Sequence, residues 1–307
     1  MSDPVANPTE LPADLEGGTV LAFLNEVAGG RKLLGRVREL VDAGAGSIAL
    51  AAPQNQPVAG QIVAAAEVRD AAVSRVEVTQ EVLDEFGLAS VAAVFDPSPP
   101  LAFDDAVRAF DPVYVLFSSL PEARFGLARK DLIEWARSRT DVPVEHVPVR
   151  IEDDAIRWDV THTLVIATQT VNAPELVERM VTLHRERPHR FTIVSPASGE
   201  ITREEVCDRL ASTLAALYRV DADATGQPMG SSEPFAAVRN AIEHYRVDDI
   251  LVSTFAGHES KWLAEGLIDR IREFTDDPVE HFEVGAGNRA AVAGAVPVGA
   301  GGEAGGA

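Results

Sequence analysis

Apolar residues in this chain fall into short unbroken runs, each followed by a stretch in which they recur at helical spacing. TVLAFLNEV (19–27) and TLVIATQTV (163–171) are two such runs of strand length. After the first, Leu33, Leu34, Val37 and Leu40 mark one helix face, and after the second Leu176, Val177, Met180 and Leu183 do the same. SIALAAPQN and FTIVSPASG come next, each reading as a buried strand that ends in turn residues. DDAVRAF is then answered by AAVRNAI, PVYVLFSSL by DDILVSTFA, and KDLIEWARSRTDVPVEHVPV by EGLIDRIREFTDDPVEHFEV. The order is the same throughout, so PVEHV at 143–147 and PVEHF at 278–282 are the last echo of a unit present twice.

Each unit reads as five strands with four helices between them. In the second unit the pattern predicts strands near 163–168, 190–196, 221–225, 249–254 and 279–284, and helices near 173–186, 202–218, 234–246 and 260–274. Thr202 with Glu205 forms a capping box at one helix start. The second helix of the first unit, inside QIVAAAEVRDAAVSRVEVTQEVLDEF, is longer and open to interruption. Continuous apolar strands, as opposed to alternating ones, are those of a parallel sheet covered by helices on both faces. The fold class is therefore α/β, two tandem doubly wound five-stranded parallel sheets. The expected organisation is a flexible N-terminus (1–18), a first unit (19–149), a charged linker (150–161), a second unit (162–284) and a flexible Gly/Ala-rich tail (285–307).

Composition narrows the functional classes. The chain has 307 residues, of which 46% are hydrophobic, enough for two real cores. Its 27 basic and 48 acidic residues give a formal charge of -21, which repels phosphate backbones and argues against nucleic-acid binding. Cys207 is the only cysteine, so intrachain disulfides and Cys-based zinc sites are excluded, and a small buried residue is the favoured reading over a reactive thiol. The N-terminus lacks the basic region and apolar run of a signal peptide, and no segment is apolar over the roughly 18 residues that a span requires. A soluble cytoplasmic protein without membrane insertion is expected. The chain has no GxxxxGK[ST] loop, no GxGxxG after a strand and no GxSxG elbow. No catalytic residue and no metal ligand set is expected, and an enzyme is the weaker class.

The run DDILVSTFAGHESKWLAEGLIDRIREFTDDPVEHFEV, with the strand–helix order of both units, resembles the strand-four, loop, helix-four, strand-five block of the universal stress protein family. The likeness covers both units and implies a tandem protein of that HUP-like type, with strand order 3-2-1-4-5. The ATP-binding members carry Gly, two residues, Gly, nine residues, then Gly and Ser or Thr, so that backbone and a helix start approach phosphates closely. The corresponding positions are Ser253, Ala256, Gly266 and Leu267 in the second unit, where only Gly266 matches. In the first they are Ser118, Pro121, Asp131 and Leu132, where none does. Those members also place Asp at the end of strand one, where Leu24 and Thr168 are aligned. The resemblance thus implies a degenerate nucleotide site, with no cofactor expected and ATP or AMP left as an alternative for the second unit alone.

The candidate ligand residues are Thr168, Gln169, Ser195, Ser253, Thr254, Ala256, Ser260, Lys261 and Gly266. In STFAGHES with Lys261, the hydroxyls and the lysine could grip an anion at a helix start, or merely cap the helix and turn the chain, the latter being favoured. His146 and His281 each follow a Glu and invite a metal or acid–base reading. Their duplicate placement on a closing strand favours a structural one, in which strands 143–149 and 278–284 meet within the chain or between chains. The interface residues on that reading are Val144, Glu145, His146, Val147, Val279, Glu280, His281 and Phe282, and the assembly is a homodimer or an intrachain pseudo-dimer. His184 and His189 are expected to be solvated. The leading function is a non-catalytic regulatory or protective protein that binds a ligand or another protein. An ATP/AMP binder with slow or no hydrolysis, and a ligand-free scaffold, are the alternatives.

Overall fold

The computed structural model describes residues 15–25, 28–55, 65–119, 128–148, 160–196, 201–229, 234–244, 247–257 and 266–285. The first unit runs β1 (Thr19–Leu24), α1 (Arg31–Asp42), β2 (Ser47–Pro53), α2 (Ala65–Glu85), β3 (Val91–Phe95), α3 (Pro99–Phe110), β4 (Tyr114–Ser119), α4 (Ala128–Arg139) and β5 (Val144–Pro148). The second runs β6 (Thr161–Ile166), α5 (Pro174–Glu186), β7 (His189–Pro196), α6 (Arg203–Tyr218), β8 (Asp223–Met229), α7 (Pro234–His244), β9 (Asp249–Phe255), α8 (Leu267–Phe274) and β10 (Val279–Val284). All pairings are parallel, in the orders β3-β2-β1-β4-β5 and β10-β9-β6-β7-β8. The expected α/β class and the 3-2-1-4-5 order hold in both units.

Local chemistry sets the element ends. Proline at the first turn starts α3 and α5, where a missing N–H costs nothing. The Thr202 capping box opens α6. The third strand of the second unit begins at Asp223, later than the sequence pattern placed it, because Asp221 takes a left-handed turn (φ 61) and Ala222 N–H donates to Leu217 O. α2 is continuous across its described length. Leu15 is buried, and Gly17 N–H donates to Gly44 O, so the ordered first unit starts before Thr19. The linker residues 150–159 and the tail from 286 lie outside the described residues. No helix among the described residues is long and apolar enough to cross a membrane.

One hydrophobic cluster passes through both units. It joins Leu33, Val37, Val78 and Val82 under the first sheet's α1/α2 face to Leu176, Met180, Leu210 and Leu214 under the second sheet's α5/α6 face. The junction is α2 lying against α6. Arg203 forms an ion pair with Glu77, Arg219 with Glu85 at 3.0 Å, and Arg31 with Asp221 and Asp223 at 3.1 and 3.0 Å. The Arg219 guanidinium also covers the Phe86 ring. Cys207 is buried in this junction beside Ser74, and burial pushes its thiol up to about 12, which keeps it protonated and inert. In β8, Gly226 permits close approach to α6, since a Cβ there would sit 2.5 Å from Leu210 Cδ1.

The expected meeting of the two closing strands within the chain does not occur. β5 and β10 lie at the edges of separate sheets, bonded to β4 and β9. The reason lies in where their side chains point. Val144 and Val147 are buried in the first unit, while Val279 and Phe282 pack on the second unit's clusters. Glu145 accepts from Arg36 and from the Tyr114 hydroxyl, each at 2.8 Å, and Glu280 pairs with Arg179 at 2.8 Å. His146 Nε2 is 2.9 Å from Ser119 Oγ, and His281 Nε2 is 2.8 Å from Thr254 Oγ1. The repeated EH dipeptide therefore clasps each closing strand to its own unit, with Glu gripping the first helix on one face and His gripping strand four on the other. His189 N–H donates to His184 Nδ1 at 3.2 Å, His189 Nδ1 lies 2.7 Å from Arg187 O, and His189 is buried, contrary to the solvated placement expected for it.

The clasp has a pH signature. Burial, reinforced by the hydrogen bond to Glu145, raises the Tyr114 phenol to about 12. In the unfolded chain it ionises near pH ~10. The unfolded state therefore loses its proton first, and stability conferred by this phenol is lost as pH rises between those values. An absorbance titration of the phenols should show a late step near pH 12 that Tyr114→Phe removes.

Candidate functional site

In an open parallel sheet, ligands bind outside the carboxyl ends of the strands where strand order reverses. That place is between β1 and β4 in the first unit and between β6 and β9 in the second. The register corrects one sequence alignment. Val20 lies opposite Tyr114 and Leu24 opposite Ser118, while Thr163 lies opposite Asp249 and Ile166 opposite Val252. Asn25, and not Leu24, is thus the counterpart of Thr168. Leu24 faces the core and is fully buried. Both first strands end in a polar residue, so polarity at this position does not distinguish the second unit.

In the second unit, the turn after β6 is stitched across the gap by threonines. Thr168 Oγ1 donates to Pro196 O at 2.7 Å, Thr170 Oγ1 to Ser253 O at 3.2 Å, and Thr213 Oγ1, from α6, to Val171 O at 2.7 Å. Ser195 and Ser253 close β7 and β9 beside this turn. Both are buried, and neither hydroxyl has a hydrogen-bond partner among the described residues. Each follows the sheet alternation of Ile193 and Leu251, which places it on the face covered by α5 and α6. A buried hydroxyl without a partner costs about 1–3 kcal/mol, so a ligand or water that satisfies it is favoured. Arg209 on α6 reaches Gln169 O at 3.4 Å.

The remaining sequence candidates are distributed differently. Thr254 falls on the opposite sheet face and is bound to His281. Ala256 donates its N–H to Val284 O, extending the sheet. Gly266 caps α8 with a left-handed backbone (φ 68), a conformation suited to glycine. Ser260 and Lys261 lie outside the described residues, as does Pro121. The structure therefore brings Thr168, Gln169, Ser195 and Ser253 together, with Thr254 turned away.

The first unit's crevice is furnished by residues that sequence reading passed over. Arg75, from α2, is buried. Its Nη1 donates to Leu24 O at 3.2 Å, Asn25 O at 2.9 Å and Asn55 Oδ1 at 2.9 Å. Asn55 Nδ2 donates to Asn25 O at 2.6 Å, and Gly29 N–H donates to Thr79 Oγ1 at 2.9 Å. A guanidinium thus sits over the carboxyl end of β1, where a ligand would otherwise contact the chain. The only sequence signal for it is a charged residue at i−4 to a threonine within an otherwise amphipathic helix. Among the described residues, no group of three or more His, Cys, Asp or Glu side chains is arranged to hold a metal ion.

No family model matches the chain, and no curated protein matches its sequence. Among solved structures, a universal stress protein from Archaeoglobus fulgidus is similar at 13% identity over 89% of this chain and 98% of that one, with a TM-score of 0.34.

The two crevices differ in how far their arginines are committed. Arg75→Met leaves the Leu24 and Asn25 carbonyls and the Asn55 amide short of a donor, and should cost about 1–3 kcal/mol in urea denaturation. Arg209→Met removes one long bond and should cost no more than about 0.5 kcal/mol.

Proposed function

We propose that this chain is a non-catalytic two-unit protein of universal stress type whose role is regulatory or protective, exerted through ligand or protein binding, with the second unit as the receiving one. Support for the type comes from the shared sheet order of both units, together with the family resemblance of the block ending in DDPVEHFEV. The observation that carries the choice of unit is the contrast at the two switch points. The first has Arg75 and Asn55 bonded across the end of β1 and leaves the Ser118 hydroxyl unpartnered, whereas the second leaves both the Ser195 and Ser253 hydroxyls without partners and has its arginine bonded only weakly to Gln169 O. A non-catalytic role is favoured because the hydroxyl–imidazole pairs at Ser119–His146 and Thr254–His281 recur in both copies as strand clasps, and no other nucleophile–base pair adjoins the crevice among the described residues.

Nucleotide binding is the alternative for the same crevice, with the glycine cradle reduced to Gly266. Pairing of the free edges of β5 and β10 with a second copy is the corresponding proposal for assembly, since each has one unoccupied edge among the described residues. A thermal-shift titration with Mg-ATP and with AMP, run beside a phosphate-release assay, tests the functional reading. Phosphate release should stay at the buffer level, and any saturable stabilisation should vanish in Ser253→Val and survive in Ser118→Val. A ligand at about 100 times its Kd stabilises by about 2.7 kcal/mol, well within reach of the assay. Sustained turnover, or binding lost only in the first-unit variant, would contradict it.

A further inference from the structure

Each sheet has two open edges, and three of the four edge strands carry a device that discourages pairing. β5 holds Glu145 and His146 and ends in Pro148, β10 holds Glu280 and Glu283, and β8 holds Asp223, Gln227 and Pro228. β3 holds none of these, its sequence being VAAVF. The contrast with β8 runs position by position. The second strands of both units end in proline, and the registers set Pro53 opposite Phe95 and Pro196 opposite Met229. Val91, Ala92, Ala93 and Val94 therefore stand where the second unit has Thr225, Gly226, Gln227 and Pro228. One copy of this edge is blunted and the other is bare.

The bare strand is also exposed. Val91 is 56% exposed, the most open large hydrophobic residue among those described, and Ala92 is exposed beside it. α2 and α3, which cover the two faces of β3, also rest on β2 and leave the amino end of β3 uncovered. Gln80 of α2 fixes that end, its Nε2 donating to Ser90 O at 2.7 Å. An apolar strand held in place with a free main-chain edge is a template for another strand.

The complement that fits is the strand's own copy. A two-fold axis through Ala93 sets Val91 against Phe95 of the second copy and Ala92 against its Val94, with a small side chain on the axis. Opposite residues of an antiparallel pair share a face, so each exposed Val91 acquires an aromatic cross-strand neighbour, a favourable pairing. Charge points the same way. Residues 86–95 are uncharged in a chain of formal charge -21. Asp96, the first charge beyond them, falls opposite Ser90 of the second copy. The two Asp96 side chains then lie about six positions, or about 20 Å, apart along the pair, well past the screening length of about 8 Å. A parallel pair would set them side by side, where like charges destabilise.

We infer that β3 is a docking edge for a second copy of this chain, pairing antiparallel with its own counterpart about Ala93 and joining the two first sheets into one continuous sheet.

Sedimentation equilibrium of the full chain should show a reversible dimer. Val91→Lys should raise its dissociation constant at least about tenfold, because pairing would bury an ammonium beside Phe95. That substitution lowers the net negative charge, so overall repulsion cannot account for the loss. Val91 is exposed in the single chain, so the circular dichroism of the variant should match the wild type. Disulfide trapping reads the register, with Cys207 buried and out of the reaction. Ala93→Cys should cross-link to its own copy on mild oxidation, whereas Val91→Cys, about 13 Å from its counterpart, should not. A wild type that stays monomeric at every concentration overturns the inference. A dimer indifferent to Val91→Lys overturns it too, and moves assembly to another surface such as β5 or β10. Trapping by Val91→Cys without trapping by Ala93→Cys rules out the antiparallel register about Ala93.

Discussion

A parallel sheet whose strand order reverses leaves a gap at its carboxyl end, and the polar groups that border the gap must find partners. Much of this molecule is organised around that requirement. Each unit meets it with the second helix, sending an arginine and a threonine four residues apart toward the turn after the first strand. In the first unit Arg75 and Asn55 cover the end of β1, and the Ser118 hydroxyl alone of that strand pair is left without a partner among the described residues. In the second the solution is partial: the threonines stitch the turn, while two serine hydroxyls and most of a guanidinium are left over. On the proposed reading, a receiving crevice in one copy and a filled one in the other follow from the same duplicated parts.

The same two helices also join the units. Ser74 and Glu77 flank Arg75, and Cys207 and Asp208 adjoin Arg209, so the residues that serve the crevices alternate with those that serve the junction. Along the junction, the Glu77–Arg203 and Glu85–Arg219 pairs bracket Glu81 and Asp208. Burial and then mutual repulsion raise the Glu81 carboxyl, and burial with neighbouring acids raises Asp208. The ion pairs and the shared apolar cluster hold the helices together against that repulsion. Helix packing thus replaces strand pairing as the link between the copies, and the closing strands remain clasped to their own sheets.

Fold was far more legible in the sequence than site. Uninterrupted apolar runs and helical spacing announce both sheets, and the duplication supplies an internal alignment that makes each copy a check on the other. The alignment slipped by one residue at the first strand, since Leu24 and Thr168 are both credible ends of an apolar run and only the register to strand four shows Asn25 to be the true counterpart. The meaning of the EH repeat was not legible either, because its partners Arg36, Tyr114, Ser119, Arg179 and Thr254 come from other elements. Arg75 and Arg209 were overlooked for a related reason. A charged residue on a helix reads as solvent-facing until packing places it over a strand end.

On the proposed reading the two switch points have parted in function, one filled from within and the other open to a ligand. Chemical-shift mapping of the isotope-labelled full chain during an AMP titration tests it most directly. Perturbations centred on Thr168, Gln169, Ser195 and Ser253 are expected, with Asn25, Asn55 and Arg75 unmoved. Perturbations centred on Asn25, Asn55 and Arg75, with the second unit silent, would contradict it.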